Sequence, residues 1–224
     1  MKALPGGLRF FLVIFAIAGW SADSFSQDFR RYKIRSGIVE YKMSGMQTGT
    51  ETIYFDRWGM REARYTQTEI KVANMSVKQN RLTLLHGEWT YGVDLDKKTG
   101  TKTPTPLWKE LTGAAKRQGK DATEIGEEML ARMGGRKIGA ETLLGKSCDV
   151  WEIKSMNTKS WIWQGVTLKT EVNMMGKMMT TEAVRLQDNV SVPEEKLTLP
   201  NNVKITEGAN PMDMLKNLKK KTGN

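Results

Sequence analysis

Few side chains in this sequence have the types and spacing that covalent catalysis requires. The chain contains one histidine, His86, and one cysteine, Cys148, and their positions suggest no nucleophile paired with a base. Adjacent carboxylates such as Glu127 and Glu128 would point about 100° apart on a helix, so they would not act on the same atom. The sequence therefore predicts that the protein is not an enzyme.

Two pairs of methionines have a spacing that suits Cu(I). Met43 and Met46, and likewise Met175 and Met178, are three residues apart, and thioethers are soft ligands that Cu(I) accepts. The single cysteine or the single histidine would supply a further ligand. Because the chain contains 14 methionines, such spacing arises easily by chance, and copper binding stays a lesser alternative. The main prediction is no metal site and no cofactor.

Tryptophan and methionine together suggest contact with an apolar partner. Trp161 and Trp163 are two residues apart in the run SWIWQGVTLKTEV, and a strand places such residues on one side, with Ile162 on the other. A buried indole covers roughly 150–250 Å², and methionine adapts to irregular apolar surfaces. These side chains either fill a core or line a groove for an apolar ligand. We favour the groove, and the predicted ligand-binding residues are Tyr41, Met43, Phe55, Tyr65, Trp89, Tyr91, Trp151, Trp161, Trp163, Met175 and Met178.

The elements that would position these residues are mostly strands. Residues 34–103 consist of short runs that alternate apolar and polar residues between turn sequences, which indicates a β-meander. Residues 107–133 change to helical spacing, with a possible capping box of Asp121 and Glu124. Strands then resume up to about residue 200. The pattern predicts one α+β domain over residues 27–206, with an antiparallel sheet of about ten strands and a helical pair inserted mid-chain as a lid.

The two ends of the chain have other signals. Residues 1–26 have a basic start, an apolar run that is too short to span a bilayer, and small residues before Gln27. This pattern predicts a signal peptide that is cleaved near Ser26, and therefore a periplasmic protein. Residues 207–224 form a basic tail, either a solvated terminus or a small helix for a membrane surface or an envelope-protein partner.

Charge and cysteine content narrow the class of protein further. The net charge is +10, but the basic residues are scattered and no nucleic-acid-binding module is present, so we predict no nucleic-acid partner. A basic exterior suits an anionic membrane surface better. One cysteine excludes an intramolecular disulfide, whereas an intermolecular disulfide through Cys148 stays open.

The second half of the chain resembles a known superfamily. The succession LLGKSCDVWEI, KSWIWQGVTLKTEV, MMTTEAVRLQ and VPEEKLTLP is similar to the periplasmic lipoprotein-carrier (Lol) superfamily. The run GIVEYKMSGMQTGTETIYFDRWGMREARY resembles the first hairpins of an uncharacterised family of exported bacterial proteins in that superfamily. The resemblance covers residues 37–200. It implies an incomplete β-barrel, a strongly curved antiparallel sheet whose concave face is covered by helices and accepts acyl chains.

These observations predict a periplasmic binding protein or carrier. Its ligand would be a lipid, an acyl chain or another apolar molecule held between the sheet and the helical pair. An envelope sensor or protein-interaction scaffold with the same fold is the main alternative, because fold does not determine function. In the carriers a long helix begins the mature chain, and QDFRRYK, residues 27–33, is too short to form one.

Overall fold

The computed structural model describes residues 30–72, 75–105, 108–118, 121–174 and 176–208. The predicted signal peptide therefore lies outside the described residues, and so does the basic tail from residue 209 onward. None of the helices within these ranges has the length and apolar character needed to cross a membrane.

Twelve strands and two α-helices make up the described part of the chain. Their bounds are β1 (Gly37–Ser44), β2 (Gln47–Asp56), β3 (Arg61–Val72), β4 (Met75–His86), β5 (Trp89–Asp94), β6 (Thr99–Pro104), α1 (Trp108–Gln118), α2 (Ala122–Arg132), β7 (Gly135–Leu143), β8 (Lys146–Ile153), β9 (Thr158–Trp163), β10 (Val166–Met174), β11 (Lys177–Asp188) and β12 (Lys204–Glu207). Short 3₁₀ turns occupy Arg57–Gly59, Lys154–Met156 and Glu194–Leu197.

All the strands belong to one open sheet with the order β12-β6-β5-β4-β3-β2-β1-β11-β10-β9-β8-β7. Strands β1–β6 form one meander and β7–β11 form a second, and the antiparallel pairing of β1 with β11 joins them. The two helices connect β6 with β7, which lie toward opposite edges of the sheet. The prediction of an antiparallel sheet with an inserted helical pair is confirmed in this form.

The strand count and the fold class need correction. The sheet has twelve strands rather than about ten, and the described fold is mostly β rather than a balanced α+β. One strand beyond those predicted is β12, which pairs in parallel with β6 through Lys204 and Thr99. This pairing joins segments about a hundred residues apart, so no local pattern reports it.

The helical pair forms for local reasons. The Asp121 side chain accepts a hydrogen bond from the Glu124 backbone at 2.9 Å, and the Glu124 side chain accepts one from the Asp121 backbone at 3.2 Å. This capping box satisfies backbone donors that would otherwise be unpaired at the start of α2. The apolar faces of the helices meet around the buried residues Ala115 and Ile125.

The segment before β1 closes one end of the sheet. Residues 30–36 run between two turns, with hydrogen bonds from the Tyr32 backbone to Trp58 at 3.1 Å and from the Lys33 backbone to Gln164 at 2.9 Å. Tyr32 and Ile34 are buried in the main core, where the two meanders meet. This short segment therefore covers the end of the sheet at which the turns at Arg57–Gly59 and residues 164–165 lie.

A second core lies on the opposite face of β3, β4 and β5. Its buried members are Ala63, Leu82, Leu84, Val93 and Leu197. The last of these belongs to the chain after β11, which crosses this face before it reaches β12. Both faces of the central strands are therefore covered, one by the helices and one by this C-terminal segment.

Candidate functional site: a cavity between the sheet and the helical pair

A cavity of about 530 Å³ lies between the two helices and the central strands. Its volume falls within the roughly 300–1,000 Å³ typical of small-molecule sites. Strands β1 to β4, β10 and β11, both helices and the segment before β1 all contribute residues to its lining. The cavity therefore forms only when the whole sheet and the helical pair are assembled.

Part of the cavity lining is apolar. Strand residues and helix residues both contribute to it, namely Ile53, Phe55, Leu85, Val166, Trp108, Leu111 and Met129. Phe55 is fully buried at 0% exposure and its ring contacts Tyr32 edge-on, with ring centroids 4.7 Å apart. This part of the lining suits a hydrocarbon group.

The cavity lining also contains charged and polar side chains. Arg31, Tyr32, Glu51 and Arg64 line it, and Glu62 lies among them with 3% exposure. The Arg64 side chain donates to Glu62 at 2.7 Å and to Glu51 at 3.4 Å. The Tyr32 hydroxyl donates to Glu62, and Arg31 lies 3.4 Å from the same carboxylate. We call these five residues the charged cluster.

The environment of the charged cluster determines its ionisation. Burial raises the pKa of the Glu62 carboxyl, but the charges of Arg64 and Arg31 and the hydrogen bond from Tyr32 outweigh it, so the net pKa is lowered. Burial raises the pKa of Tyr32 to about 12. Glu62 is therefore an anion and Tyr32 a neutral donor at neutral pH.

Strand register explains why charged and apolar residues share this face. Directly opposed residues of antiparallel strands point to the same side, and Phe55 pairs with Glu62, which pairs with Leu85. In the next row Ile53 pairs with Arg64. Glu62 and Arg64 were not predicted from the sequence, because alternating charges on a strand usually mark a solvent face.

Two of the predicted ligand-binding residues line the cavity. Tyr41 is 4% exposed and its hydroxyl donates to the Thr167 carbonyl at 2.9 Å, and Phe55 lines the cavity from β2, two cross-strand rows away. Met43 is half-buried and pairs with the lining residue Thr181, but is not itself part of the lining. Trp151 is buried and pairs with Ser160 on β9, which in turn pairs with the lining residue Thr170 on β10. Trp151 itself is not part of the lining.

The two indoles that motivated the groove belong to the packed core. Trp161 is 5% exposed among the main core residues, its indole nitrogen donates to Glu141 at 2.8 Å, and Lys169 lies 4.9 Å from its ring centre. Trp163 packs against the same core beneath the Lys146 ammonium, 4.5 Å away. Neither indole is part of the cavity lining.

The remaining predicted residues lie elsewhere. Tyr65 and Tyr91 pack against the second core on the opposite face of the sheet, and Trp89 shares the face of Tyr91 with the Lys102 ammonium 3.9 Å from its ring centre. Met178 is 50% exposed at a hairpin turn. Met175 lies outside the described residues.

The cysteine and the histidine proposed as further Cu(I) ligands are separated in the fold from the methionines, whose hairpins are neighbours. Cys148 is fully buried in the main core, and its thiol donates to the Lys146 carbonyl at 3.5 Å. Cys148 and His86 both lie close to turns at the end of the sheet opposite the turn that carries Met46. Among the described residues, no three His, Cys, Asp or Glu side chains form a metal-binding group.

This placement makes Trp163 a test of the cavity's position. Replacing Trp163 with alanine should lower the free energy of unfolding by about 1–2 kcal/mol, because a partly buried indole loses its packing. Ligand affinity should change by less than about twofold, since the mutated side chain does not line the cavity. Urea denaturation and a fluorescent-lipid titration measure the two effects. A large loss of affinity in a folded variant would mean that the ligand binds beside the indoles.

No family model matches the sequence, and none of the curated proteins matches it. Several solved structures are similar to the fold, including the following three. A conserved protein from Thermus thermophilus is 9% identical, with a TM-score of 0.49 over 79% of this chain and 93% of the other. A DUF1329 family protein from Desulfovibrio piger is 11% identical, with a TM-score of 0.30 over 74% and 90%. A domain described as outer membrane lipoprotein-sorting, from Vibrio parahaemolyticus, is 10% identical, with a TM-score of 0.29 over 73% and 89%.

Proposed function

We propose that the protein is a periplasmic binding protein or carrier for an amphipathic lipid-type ligand held in the cavity. The observation that carries the proposal is a cavity of about 530 Å³ whose lining combines apolar and charged side chains. An acyl chain would contact the residues around Phe55 and Leu111. The polar group of the ligand would lie at the charged cluster.

The geometry of the charged cluster favours a particular kind of polar group. The Arg64 Nε lies 2.7 Å from Glu62, whereas its Nη1 lies 3.4 Å from Glu51. The weaker contact at Nη1 is therefore the one that a polar group of the ligand could replace. Arg31 and Arg64 are balanced by Glu51 and Glu62. A headgroup with no net charge, polar or zwitterionic, could bind beside these four side chains without leaving a net buried charge.

The same cluster supports binding rather than catalysis. A general acid or base works best with a pKa near the working pH, and the lowered pKa of Glu62 moves it away from neutrality. Arg64, Arg31 and Tyr32 already occupy its oxygens. Glu62 is therefore a fixed anion that positions two arginines.

Titration with a fluorescent lysophosphatidylcholine, whose headgroup is zwitterionic, tests the proposal. The mature protein, prepared free of lipid, should give a saturable increase in fluorescence at one site, and unlabelled lysophospholipid should displace the probe. A hydrocarbon probe without a polar group should bind more weakly. A linear, non-saturable signal, or saturable binding that no lipid displaces, would contradict the proposal.

A further inference from the structure

Four neighbouring hairpins present exposed methionines at one end of the sheet. The turns between β3 and β4, β1 and β2, β10 and β11, and β8 and β9 all lie at this end, which we call the methionine end. The exposed side chains, with their exposed fractions, are Met75 (68%), Val77 (50%), Met46 (39%), Met174 (47%), Met178 (50%) and Met156 (52%). Each of the four hairpins contributes at least one of them.

The opposite end of the sheet exposes fewer large apolar side chains. Its turns lie at Arg57–Gly59 and at residues 87–88, 144–145 and 164–165, and residues 30–36 cover two of them. Among the described residues of these turns, Leu144 is the one large apolar side chain that is exposed. Exposed apolar side chains that are scattered singly need no explanation, whereas a contiguous set marks a contact surface.

The charge around the methionine end is positive. Lys78, Lys154 and Lys177 are exposed on three of the four hairpins, and none of them forms an ion pair within the described ranges. The nearby carboxylates are already engaged, Glu152 with Lys159 at 3.9 Å and Glu171 with Lys169 at 2.9 Å. Glu69 lies opposite Lys78 across β3 and β4, so the lysines beside the methionines that face no carboxylate in the described part of the chain are Lys154 and Lys177.

We infer that the methionine end docks on the surface of an anionic lipid bilayer. Turns that are two strands apart are separated by about 10 Å, so the four hairpins form a row that can meet a flat surface together. Methionine adapts to disordered acyl chains, and exposed lysines at the same level attract anionic headgroups. This charge complementarity favours a bilayer over an apolar protein surface.

The inference goes beyond the proposed function, because it concerns where the protein binds rather than what it holds. It does not require a lipid in the cavity. The two sites are nevertheless close, since Met43 pairs with the cavity-lining Thr181 on the way from the cavity to the methionine end. A protein docked through this end would hold its cavity above the bilayer.

Vesicle flotation with the full mature chain tests the inference. The protein should float with vesicles of phosphatidylcholine mixed with phosphatidylglycerol and bind vesicles of phosphatidylcholine alone far less. Replacing Met75, Met156, Met174 and Met178 with serine should reduce binding at least tenfold. The chain with Val184→Ser and Leu144→Ser, which are similarly exposed at 55% and 44% and lie away from the methionine end, serves as the matched control and should bind normally.

A second set of variants separates the hairpins from the basic tail. Replacing Lys78, Lys154 and Lys177 with glutamine should weaken binding to the anionic vesicles by about a hundredfold. The tail variant, with Lys216, Lys219, Lys220 and Lys221 changed to glutamine, should keep most of its binding. The inference is overturned if the wild type does not bind anionic vesicles, or if the tail variant loses binding while the hairpin variants keep it. If the partner at this end is a protein rather than a bilayer, the wild type should bind no vesicles, and that outcome overturns the inference.

Discussion

Replacing Glu62 with alanine should lower the free energy of unfolding by about 3 kcal/mol, because breaking a buried ion pair leaves its partners uncompensated. Arg64, Arg31 and the Tyr32 hydroxyl all interact with this one carboxylate. Arg64 keeps a second partner in Glu51, so the expected loss lies at the lower end of the range for such pairs. Equilibrium denaturation in urea measures the change.

Glu40 provides the matched control. Its pair with Arg185 has a similar separation, 3.4 Å, but both side chains are exposed. Glu40→Ala should therefore cost less than about 0.5 kcal/mol. Equal losses for Glu40→Ala and Glu62→Ala would contradict the role assigned to the charged cluster.

The same cluster makes stability depend on pH. The pKa of Glu62 is lower in the folded protein than its ordinary value, so the folded state favours the ionised carboxylate. The stabilisation is complete above the ordinary value of about 4.3 and is lost as pH falls through that value and then through the lower folded pKa. The stability difference between wild type and Glu62→Gln should therefore shrink as pH falls below about 5. A difference that stays constant or grows toward low pH would show that Glu62 is not held ionised.

Replacing Gly126 with tryptophan should remove ligand binding without unfolding the protein. Gly126 lines the cavity from α2, and a Cβ atom added there would meet no atom within 4 Å. The indole can therefore project from the helix toward the space that the ligand would occupy. We expect the affinity for a fluorescent lysophosphatidylcholine to fall about 100-fold or more, because the ligand loses most of its buried contact.

The control for this variant is Glu127→Trp. Glu127 is the next residue of the same helix and is exposed, so the added indole would lie outside the cavity. Its affinity for the probe should match that of the wild type. Gly126→Trp should stay folded, since glycine costs about 1 kcal/mol in a helix and its replacement offsets part of any strain. Glu127→Trp should stay folded because its position is exposed. Equal affinities for the two variants would place the ligand outside this cavity.

The fold was largely predictable where its signals are local. The capping box of Asp121 and Glu124 and the change to helical spacing identified the helical pair, and alternation identified most hairpins. The parallel pairing of β12 with β6 depends on residues about a hundred positions apart, and nothing within either segment reports it. The short N-terminal segment acts through backbone hydrogen bonds to Trp58 and Gln164, which a side-chain pattern does not reveal.

The site was predicted only in part, for a physical reason. Both faces of β3 are covered, so alternation along the strand separates two faces without telling which one faces the cavity. Ala63 and Tyr65 are apolar and pack beneath the C-terminal segment, while Glu62 and Arg64 face the cavity. The tryptophan pair was a misleading signal, because Trp161 satisfies its indole through Glu141 inside a packed core.

The proposal of a lipid-type ligand is tested most directly by native mass spectrometry. The mature protein would be purified from the cell envelope without detergent, and its mass would be compared before and after extraction with organic solvent. The account predicts additional lipid-sized mass on the wild type and on Glu127→Trp, lost on extraction, and none on Gly126→Trp. A wild-type protein that carries only its polypeptide mass, and that takes up no lipid when lipid is supplied, would contradict it.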